Sequence, residues 1–371
     1  MTGPEPCVAI VAADLDRALR EGIADGLLRG MVVAAGSGTV PDLLWAGGLA
    51  AVLPAPHPMT PDAIFDIASI TKVVATATAC GILMDRGELD PEAPVRRYLP
   101  ELPEWPGVDI RIRDMATHTS GFENHHFRGL PREEMMRLLF VTPTSWPPRS
   151  RFEYACRNFI LLGLIVERIA GEPLYDFCRR NIFEPIGMTS SFSYPPPDPV
   201  LDRVVPTAYP APYADLDSMA RRAGRMIGHA GLFTNAPDLA RFSAMMLNRG
   251  RVGSTRILGE TALEWILKPC SPPGLPARSF GWDMRPAIPA GAAVPNGDTA
   301  GSPDRPTGFS ASAIGHSGWT GQSLWIDPER GRYAMVLTNR THCPSNSANY
   351  VPSKRFRARV AELALTAERR R

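Results

Sequence analysis

The sequence predicts an α+β fold in which one antiparallel sheet is built from both chain ends and flanked by helices. Strand-like runs occur early, at 31–36 and 43–47, and again late, at 322–326 and 332–338. The residues between them have mostly helical spacing. Strands at both ends with helices between them are typical of one sheet interrupted by an all-helical insertion. We therefore predict an α/β sandwich domain from 1–80 and 222–371, and a mainly helical domain from 81–221.

Local patterns justify each element. The apolar residues of 14–29 recur at helical spacing after Asp14, a residue type that caps helices. The two early runs, separated by a short turn, predict an antiparallel hairpin. Two long loops rich in proline or glycine, 194–213 and 286–310, are typical of site walls or lids. Further helices are predicted at 131–140, 158–170, 173–183, 237–248 and 260–268, and from about 352.

Composition excludes several classes of function. The chain has 371 residues, 44% apolar and 21% charged, with a net charge of +2 and both signs interspersed. This pattern indicates a globular protein with no nucleic-acid or membrane partner. We identify no N-terminal export signal and no run of about 18 apolar residues. The six scattered cysteines are expected to be reduced thiols, and the location is expected to be cytoplasmic.

No metal or other cofactor is expected. Glu123, His125 and His126 are close in sequence and could be considered as metal ligands, but exposed polar loop residues are the favoured interpretation. His118 is interpreted as a structural residue that packs or bonds backbone near a site. The oligomeric state is left open.

The stretch from Ser69 to Met84 carries the strongest chemical signal. It is apolar nearly all round, which predicts a helix buried on every side. Ser69 falls in its first turn, and Lys72, three residues later, shares its face. Burial lowers the pKa of lysine, and a neutral amine beside a hydroxyl can take its proton and make it a nucleophile. The chain has only three lysines against 37 arginines, so a lysine retained in this helix favours a functional role.

Five segments, in this order and spacing, resemble the superfamily of class C β-lactamases, D-alanyl-D-alanine carboxypeptidases and family VIII esterases. The resemblance covers roughly residues 10–365. It implies a β-lactamase/transpeptidase-like fold, with the site in a crevice between the sheet region and the helical region. The matching segments are Ser69-Ile70-Thr71-Lys72, 117–122, Phe152-Glu153-Tyr154 leading into 161–163, 228–233, and His316-Ser317-Gly318.

The resemblance also implies roles. Ser69 would be the acylated nucleophile and Lys72 its base, while Tyr154 would relay the proton to the leaving group. His316 occupies the position where β-lactamases have lysine. Substrate-binding residues would be Ser317, Gly318 and Trp319. The backbone N–H groups of Ser69 and Trp319 would form the oxyanion hole. A phenol between an ammonium and an imidazole is expected to have a lowered pKa.

One departure from the family pattern concerns substrate choice. The family motif Tyr-x-Asn reads Tyr154-Ala155-Cys156 here. A thiol is a poor substitute for a carboxamide that binds an acylamino arm. Cys156 is interpreted as a pocket-wall residue, and Asn158, two positions on, as a further substrate-binding candidate.

The favoured function is a serine hydrolase or acyltransferase that works through an acyl-Ser69 intermediate. Its substrate would be a small ester or amide, and its acceptor water, an amine or an alcohol. One alternative is a DD-peptidase or β-lactamase of the penicillin-binding type. The other is a ligand-binding relative that has lost turnover.

Overall fold

The computed structural model describes residues 6–53, 55–124, 130–208, 218–288, 301–344 and 349–366. His125 and His126 lie outside these ranges, as do parts of the predicted loops at 194–213 and 286–310.

The main sheet has six strands, and every neighbouring pair in it is antiparallel. Its two central strands, β1 and β11, come from opposite ends of the chain, as the sequence predicts. The strand order is β3-β2-β1-β11-β10-β9, and a second, three-stranded sheet has the order β4-β6-β5. The strands are β1 (Gly30–Gly36), β2 (Leu43–Ala51), β3 (His57–Pro58), β4 (Phe65–Asp66), β5 (Phe192–Ser193), β6 (Leu232–Thr234), β7 (Arg251–Val252), β8 (Thr255–Arg256), β9 (Ile314–Gly318), β10 (Gln322–Asp327) and β11 (Arg332–Thr338).

Ten α-helices accompany these strands in the described part of the chain, and eight of them lie between the two sets of sheet strands. They are α1 (Pro6–Ala24), α2 (Thr78–Asp85), α3 (Ile112–Ala116), α4 (Arg132–Val141), α5 (Cys156–Ala170), α6 (Leu174–Cys178), α7 (Ser218–Ala223), α8 (Ala236–Leu247), α9 (Glu260–Leu267) and α10 (Tyr350–Leu365). Between 81 and 221 the only described strand is the two-residue β5, in line with the predicted helical region; the domain boundaries themselves stay a prediction.

The main sheet is covered on both faces, and the side chains of β1 alternate accordingly. Met31, Val33 and Ala35 belong to the core that α1 and α10 close. Val32 and Ala34 belong to the larger core on the opposite face, where α8 packs against the sheet. A strand buried on both faces reads as a continuous apolar run, which is why the sequence signal here is strong.

The first helix differs from its predicted bounds of 14–29. It begins at Pro6 and ends at Ala24. Gly26 follows with a φ of +68°, a left-handed conformation that glycine adopts without penalty and that ends helices.

The predicted core helix after Ser69 is buried on every side, but it is not one regular α-helix. A 3₁₀ turn at Ala68–Ile70 leads into a π-helical segment at Lys72–Ala77 and then into α2. All residues from Ile70 to Met84 are buried. π-Helical turns are rare and frequently occur at functional sites.

One stretch is long and apolar enough to span a membrane by length and composition, contrary to the sequence-based expectation. It is Ala68–Asp85, with a mean hydropathy of 1.2, and 89% of it is buried inside the protein. Its apolar side chains face other parts of the same chain, which is the arrangement of a core helix.

Candidate active site

Ser69 lies on a strained turn between β4 and the core helix. The preceding residue, Ala68, has a φ of +44°, in the left-handed region that non-glycine residues rarely enter. Its N–H donates to the Asp66 carboxylate at 2.8 Å. Ser69 is half-buried, whereas residues 63–68 and 70–84 are all buried. The strained turn therefore leaves the Ser69 side chain partly accessible in a segment that is otherwise buried.

Lys72 is fully buried, and its amine lies against the Ser69 hydroxyl. The Nζ–Oγ distance is 3.0 Å. The same nitrogen donates to the His229 carbonyl at 3.1 Å, contacts the Cys156 sulfur at 3.7 Å and lies 5.1 Å from the centre of the Tyr154 ring. Direct proton transfer between Ser69 and Lys72 needs no movement of the backbone.

The Tyr154 ring lies beside this pair. The Lys72 amine is 5.1 Å from the ring centre, and both Ser69 and Lys72 act to lower the pKa of the phenol. The expectation of a lowered phenol pKa is wrong. Burial raises the pKa of Tyr154 above its usual value of 10, and the nearby charge of Lys72 offsets that effect only in part. A neutral phenol at this position is a proton donor rather than a resident anion.

His118 supports the segment that carries Tyr154. The His118 ring lies 4.4 Å from the Tyr154 ring between centroids, and its Nδ1 accepts from the Ala155 N–H at 3.2 Å. Burial, reinforced by the charges of Arg278 and Lys72, holds the pKa of His118 well below 6.5. His118 is therefore neutral near physiological pH and braces the tyrosine, in agreement with its predicted structural role.

Asn158 is fully buried, and its carboxamide is bonded within the protein. Its Oδ1 accepts from the Ser120 hydroxyl at 2.7 Å, and its Nδ2 lies 3.3 Å from Nδ1 of His118. This position gives no support to the predicted substrate contact, and it connects Asn158 to the brace behind Tyr154 instead.

Cys156 occupies the position of the family carboxamide and faces the site. Its thiol contacts the Lys72 amine, while its backbone N–H donates to the Asn124 side chain at 3.0 Å. The sulfur therefore lies next to the reacting groups, and its role as a pocket-wall residue stays a prediction. Cys80, Cys178, Cys270 and Cys343 are also free thiols.

His316 lies on β9 opposite the core helix, 6.3 Å from Tyr154 between ring centres. Its Nδ1 donates to the Ser317 carbonyl at 3.0 Å. Burial holds the pKa of His316 well below 6.5, and the charges of Arg278 and Lys72 act in the same direction. This imidazole adds no fixed charge beside Tyr154.

Strand β9 approaches the Ser69 turn so closely that only glycine fits at 318. A Cβ on Gly318 would lie 2.6 Å from the Ile67 carbonyl oxygen. Ser317 is half-buried next to it, and Trp319 follows in the turn to β10, 49% exposed. Among the hydrogen bonds of the described chain, the N–H groups of Ser69 and Trp319 have no acceptor. Both predicted oxyanion donors are thus available to a ligand.

Two residues near the site, Thr320 and Arg278, were not predicted from the sequence. Thr320 donates from its hydroxyl to the Asp66 carbonyl at 2.8 Å, joining the turn after β9 to the strand before Ser69. Arg278 is buried and lowers the pKa of both His118 and His316. Thr320 lies two residues after the His316-Ser317-Gly318 motif, and this position could have identified it. Arg278 is one of 37 arginines, and nothing in the sequence distinguishes it.

Within the described residues, no group of three or more His, Cys, Asp or Glu side chains could hold a metal ion. The His125–His126 pair considered from the sequence lies outside those residues.

Comparisons with known proteins place the chain in a family. The profile of the Beta-lactamase family matches residues 15–351, so the chain belongs to that family. An inferred D-alanyl-D-alanine carboxypeptidase of Escherichia coli K12 is 26% identical over 330 residues, covering 78% of this chain and 72% of the relative.

Solved structures agree on the fold. A class C β-lactamase superposes with a TM-score of 0.76 at 17% identity, covering 99% of this chain and 98% of the other. EstCE1, a hydrolase with promiscuous acyltransferase activity, superposes with a TM-score of 0.69 at 20% identity, covering 95% and 99%. The chain is thus a β-lactamase-fold member of the serine hydrolases, and the predicted fold class and superfamily are confirmed.

Proposed function

We propose that this protein is an acyl-transferring serine hydrolase that forms a covalent intermediate on Ser69. The observation that carries the proposal is the 3.0 Å contact between the Ser69 hydroxyl and the fully buried Lys72 amine, with the centre of the Tyr154 ring 5.1 Å from the same amine. Acyl transfer requires a nucleophile, a base and a proton donor close together, and these three residues supply them.

The reaction requires the state in which the Lys72 amine has lost its proton, because only the uncharged amine can act as a base. The Ser69 oxygen attacks the substrate carbonyl and its proton passes to Lys72. The N–H groups of Ser69 and Trp319 bind the oxyanion of the tetrahedral intermediate. Tyr154 donates its proton to the departing alcohol or amine and recovers one from Lys72. Deacylation reverses these transfers, with the acceptor delivering its proton through Tyr154.

The proposed substrate is a small ester or amide without an acylamino arm. Cys156 supports this choice, because its thiol lies against Lys72 where the family carboxamide would bind such an arm. The proposed acceptor is water, an amine or an alcohol. EstCE1 shares the fold and is a hydrolase with promiscuous acyltransferase activity, which supports keeping all three. The cytoplasmic location and the absence of a membrane or nucleic-acid partner stay predictions.

A burst experiment tests the proposal. Wild-type protein mixed with a p-nitrophenyl ester should release one equivalent of nitrophenol before the steady state, and Ser69→Ala should release none. Adding an amine or an alcohol separates the acceptors, because a better acceptor than water raises the steady-state rate without changing the burst. Equal rates for wild type and Ser69→Ala would contradict the proposal.

A second candidate is a penicillin-binding activity, favoured by the relationship to the inferred carboxypeptidase. It predicts labelling of Ser69 by penicillin and turnover of nitrocefin at rates comparable with those of simple esters. A relative without turnover would instead form a stable adduct with the ester, and a burst without a steady-state rate would identify it.

A further inference from the structure

Arg340 lies two residues after the end of β11 and is fully buried. Its Nε donates to the carbonyl of Trp319 at 2.9 Å, and its Nη2 donates to the same oxygen. Its Nη1 donates to the side chain of Asn349 at 3.0 Å. Two donors on a single backbone oxygen fix the position of that peptide in the plane of the guanidinium.

The Trp319 side chain is held by the same arginine. The centre of the guanidinium lies 4.6 Å from the centre of the indole and 5.3 Å from that of the Tyr350 ring. The two rings are themselves 4.8 Å apart. Asn349 in turn donates to the Gly26 carbonyl at 2.9 Å, so the cluster is anchored to the turn before β1.

The other flank of this turn is tied to the nucleophile. The Thr320 hydroxyl donates to the Asp66 carbonyl at 2.8 Å, and Asp66 also accepts from the Ala68 N–H. Trp319 therefore lies between two restraints, one to the Ser69 turn and one to Arg340. Its own N–H has no acceptor within the described chain.

We propose that Arg340 is the positioning residue of the oxyanion hole, holding the Trp319 backbone so that its N–H points at the carbonyl that Ser69 attacks. This inference rests on the proposed acyl-transfer function. Arg340 touches no reacting atom; it acts through the Trp319 backbone.

The choice of arginine follows from what the position demands. Burial lowers the pKa of Arg340 to about 10, so the side chain is still charged at neutral pH. Burying a cation is costly unless its donors are satisfied. A planar fork can place two N–H groups on one carbonyl oxygen while stacking on an indole, and a lysine ammonium cannot do both.

The experiment uses the whole protein and compares Arg340→Gln, Arg340→Lys and the control Arg332→Gln. Arg332 also donates to a backbone carbonyl, that of Gly308, from the start of β11. It lies at the opposite end of a seven-residue strand, roughly 20 Å away. The measurements are kcat and KM for a p-nitrophenyl ester, inhibition by phenylboronic acid and a thermal melt. The boronate is used because its bound form places an oxygen in the oxyanion hole.

Losing one oxyanion donor typically lowers kcat by ~10²–10³-fold, and a displaced donor by less. Arg340→Gln should therefore lower kcat by ~10- to 100-fold, change KM by less than about threefold and weaken boronate inhibition by the same factor as kcat. Arg340→Lys should fall between it and the wild type. Arg332→Gln should keep kcat within about twofold.

An unchanged kcat in folded Arg340→Gln, or an equal loss in Arg332→Gln, would overturn the inference. Should Arg340→Gln not fold, Arg340→Lys decides, and full wild-type kcat together with full boronate affinity in that variant would overturn it. Failure of the wild type to turn over any ester would instead overturn the proposed function, and this inference with it.

Discussion

Replacing Gly318 with alanine tests whether the close approach of β9 to the Ser69 turn controls catalysis. The added Cβ would lie 2.6 Å from the Ile67 carbonyl oxygen and 2.7 Å from the Gln322 side-chain oxygen. Carbon–oxygen contacts normally need about 3.3–3.6 Å, so β9 has to move away from the turn by about 0.8 Å. That movement separates the N–H of Trp319 from that of Ser69.

The two consequences have different sizes. Overpacking of this kind typically costs about 1–3 kcal/mol of stability. A misplacement of about 1 Å at a reacting centre costs ~10²-fold in rate. Gly318→Ala should therefore remain folded, with kcat reduced ~30- to 100-fold and a smaller change in KM.

The assay is steady-state hydrolysis of a p-nitrophenyl ester, with a urea melt for stability. Gly38→Ala is the matched control, because a Cβ there meets its nearest atom at 3.7 Å. It should match the wild type in both measurements. A kcat for Gly318→Ala within about twofold of wild type would refute the claim that this spacing controls the reaction.

Three further predictions concern the side chains around Ser69. Tyr154→Phe should lower kcat by ~10²–10⁴-fold, because the leaving group loses its proton donor. The loss should be smaller for p-nitrophenyl esters, because p-nitrophenol leaves as an anion. An equal loss for alkyl and nitrophenyl esters would contradict this role. Lys72→Ala should lower kcat by a similar factor. The Lys72→Ala/Tyr154→Phe double variant should have a kcat only slightly below that of either single variant, since the two residues act as a unit. Additive losses would argue against a shared proton path. The pKa values of His118 and His316 are held well below 6.5, so below pH 6.5 the unfolded state binds protons that the folded state does not. The contribution of these histidines to the free energy of unfolding is therefore fully present above pH 6.5. It should fall by about 1 kcal/mol per pH unit for each histidine as the pH drops towards the lowered pKa values. Urea melts from pH 7.5 to 5.5 measure this, and a free energy of unfolding that does not change with pH would contradict it.

Substitution at Cys156 tests the proposed substrate class. Cys156→Asn restores the carboxamide of the family motif beside Lys72, so the ratio of nitrocefin turnover to ester turnover should rise at least ~10-fold, since a carboxamide can bond the acylamino arm. Cys156→Ser, which matches the size of the thiol, is the control and should leave the ratio nearly unchanged. An unchanged ratio in Cys156→Asn would contradict the claim that residue 156 influences the choice of substrate.

Much of the fold was accessible from the sequence because the central strands are buried on both faces. The runs at 31–36 and 333–338 are mostly apolar, and they pair residue for residue in the structure. Boundaries set by backbone conformation were less accessible: α1 ends at Ala24, where a left-handed glycine follows, although helical spacing continues to 29. The 3₁₀ and π-helical turns around Ser69 leave no trace in hydrophobic spacing.

The pairing of Ser69 with Lys72 could be predicted from the sequence, because a serine and a lysine one turn apart share a helix face. What spacing could not give is the electrostatic balance at Tyr154. The charge of Lys72 lowers the pKa of the phenol and burial raises it, and burial prevails. Nor could it give the bonds that connect Asn158 to Ser120 rather than to a substrate.

The central claim is that the Ser69 oxygen carries the acyl group during turnover. The direct measurement is intact mass spectrometry of protein quenched in acid seconds after mixing with an ester, followed by peptide mapping. We predict a mass increase equal to the acyl group, located on Ser69, absent from Ser69→Ala and much slower to form in Lys72→Ala. A wild-type protein that hydrolyses the ester without any adduct, or an adduct of the same mass on Ser69→Ala, would contradict the account.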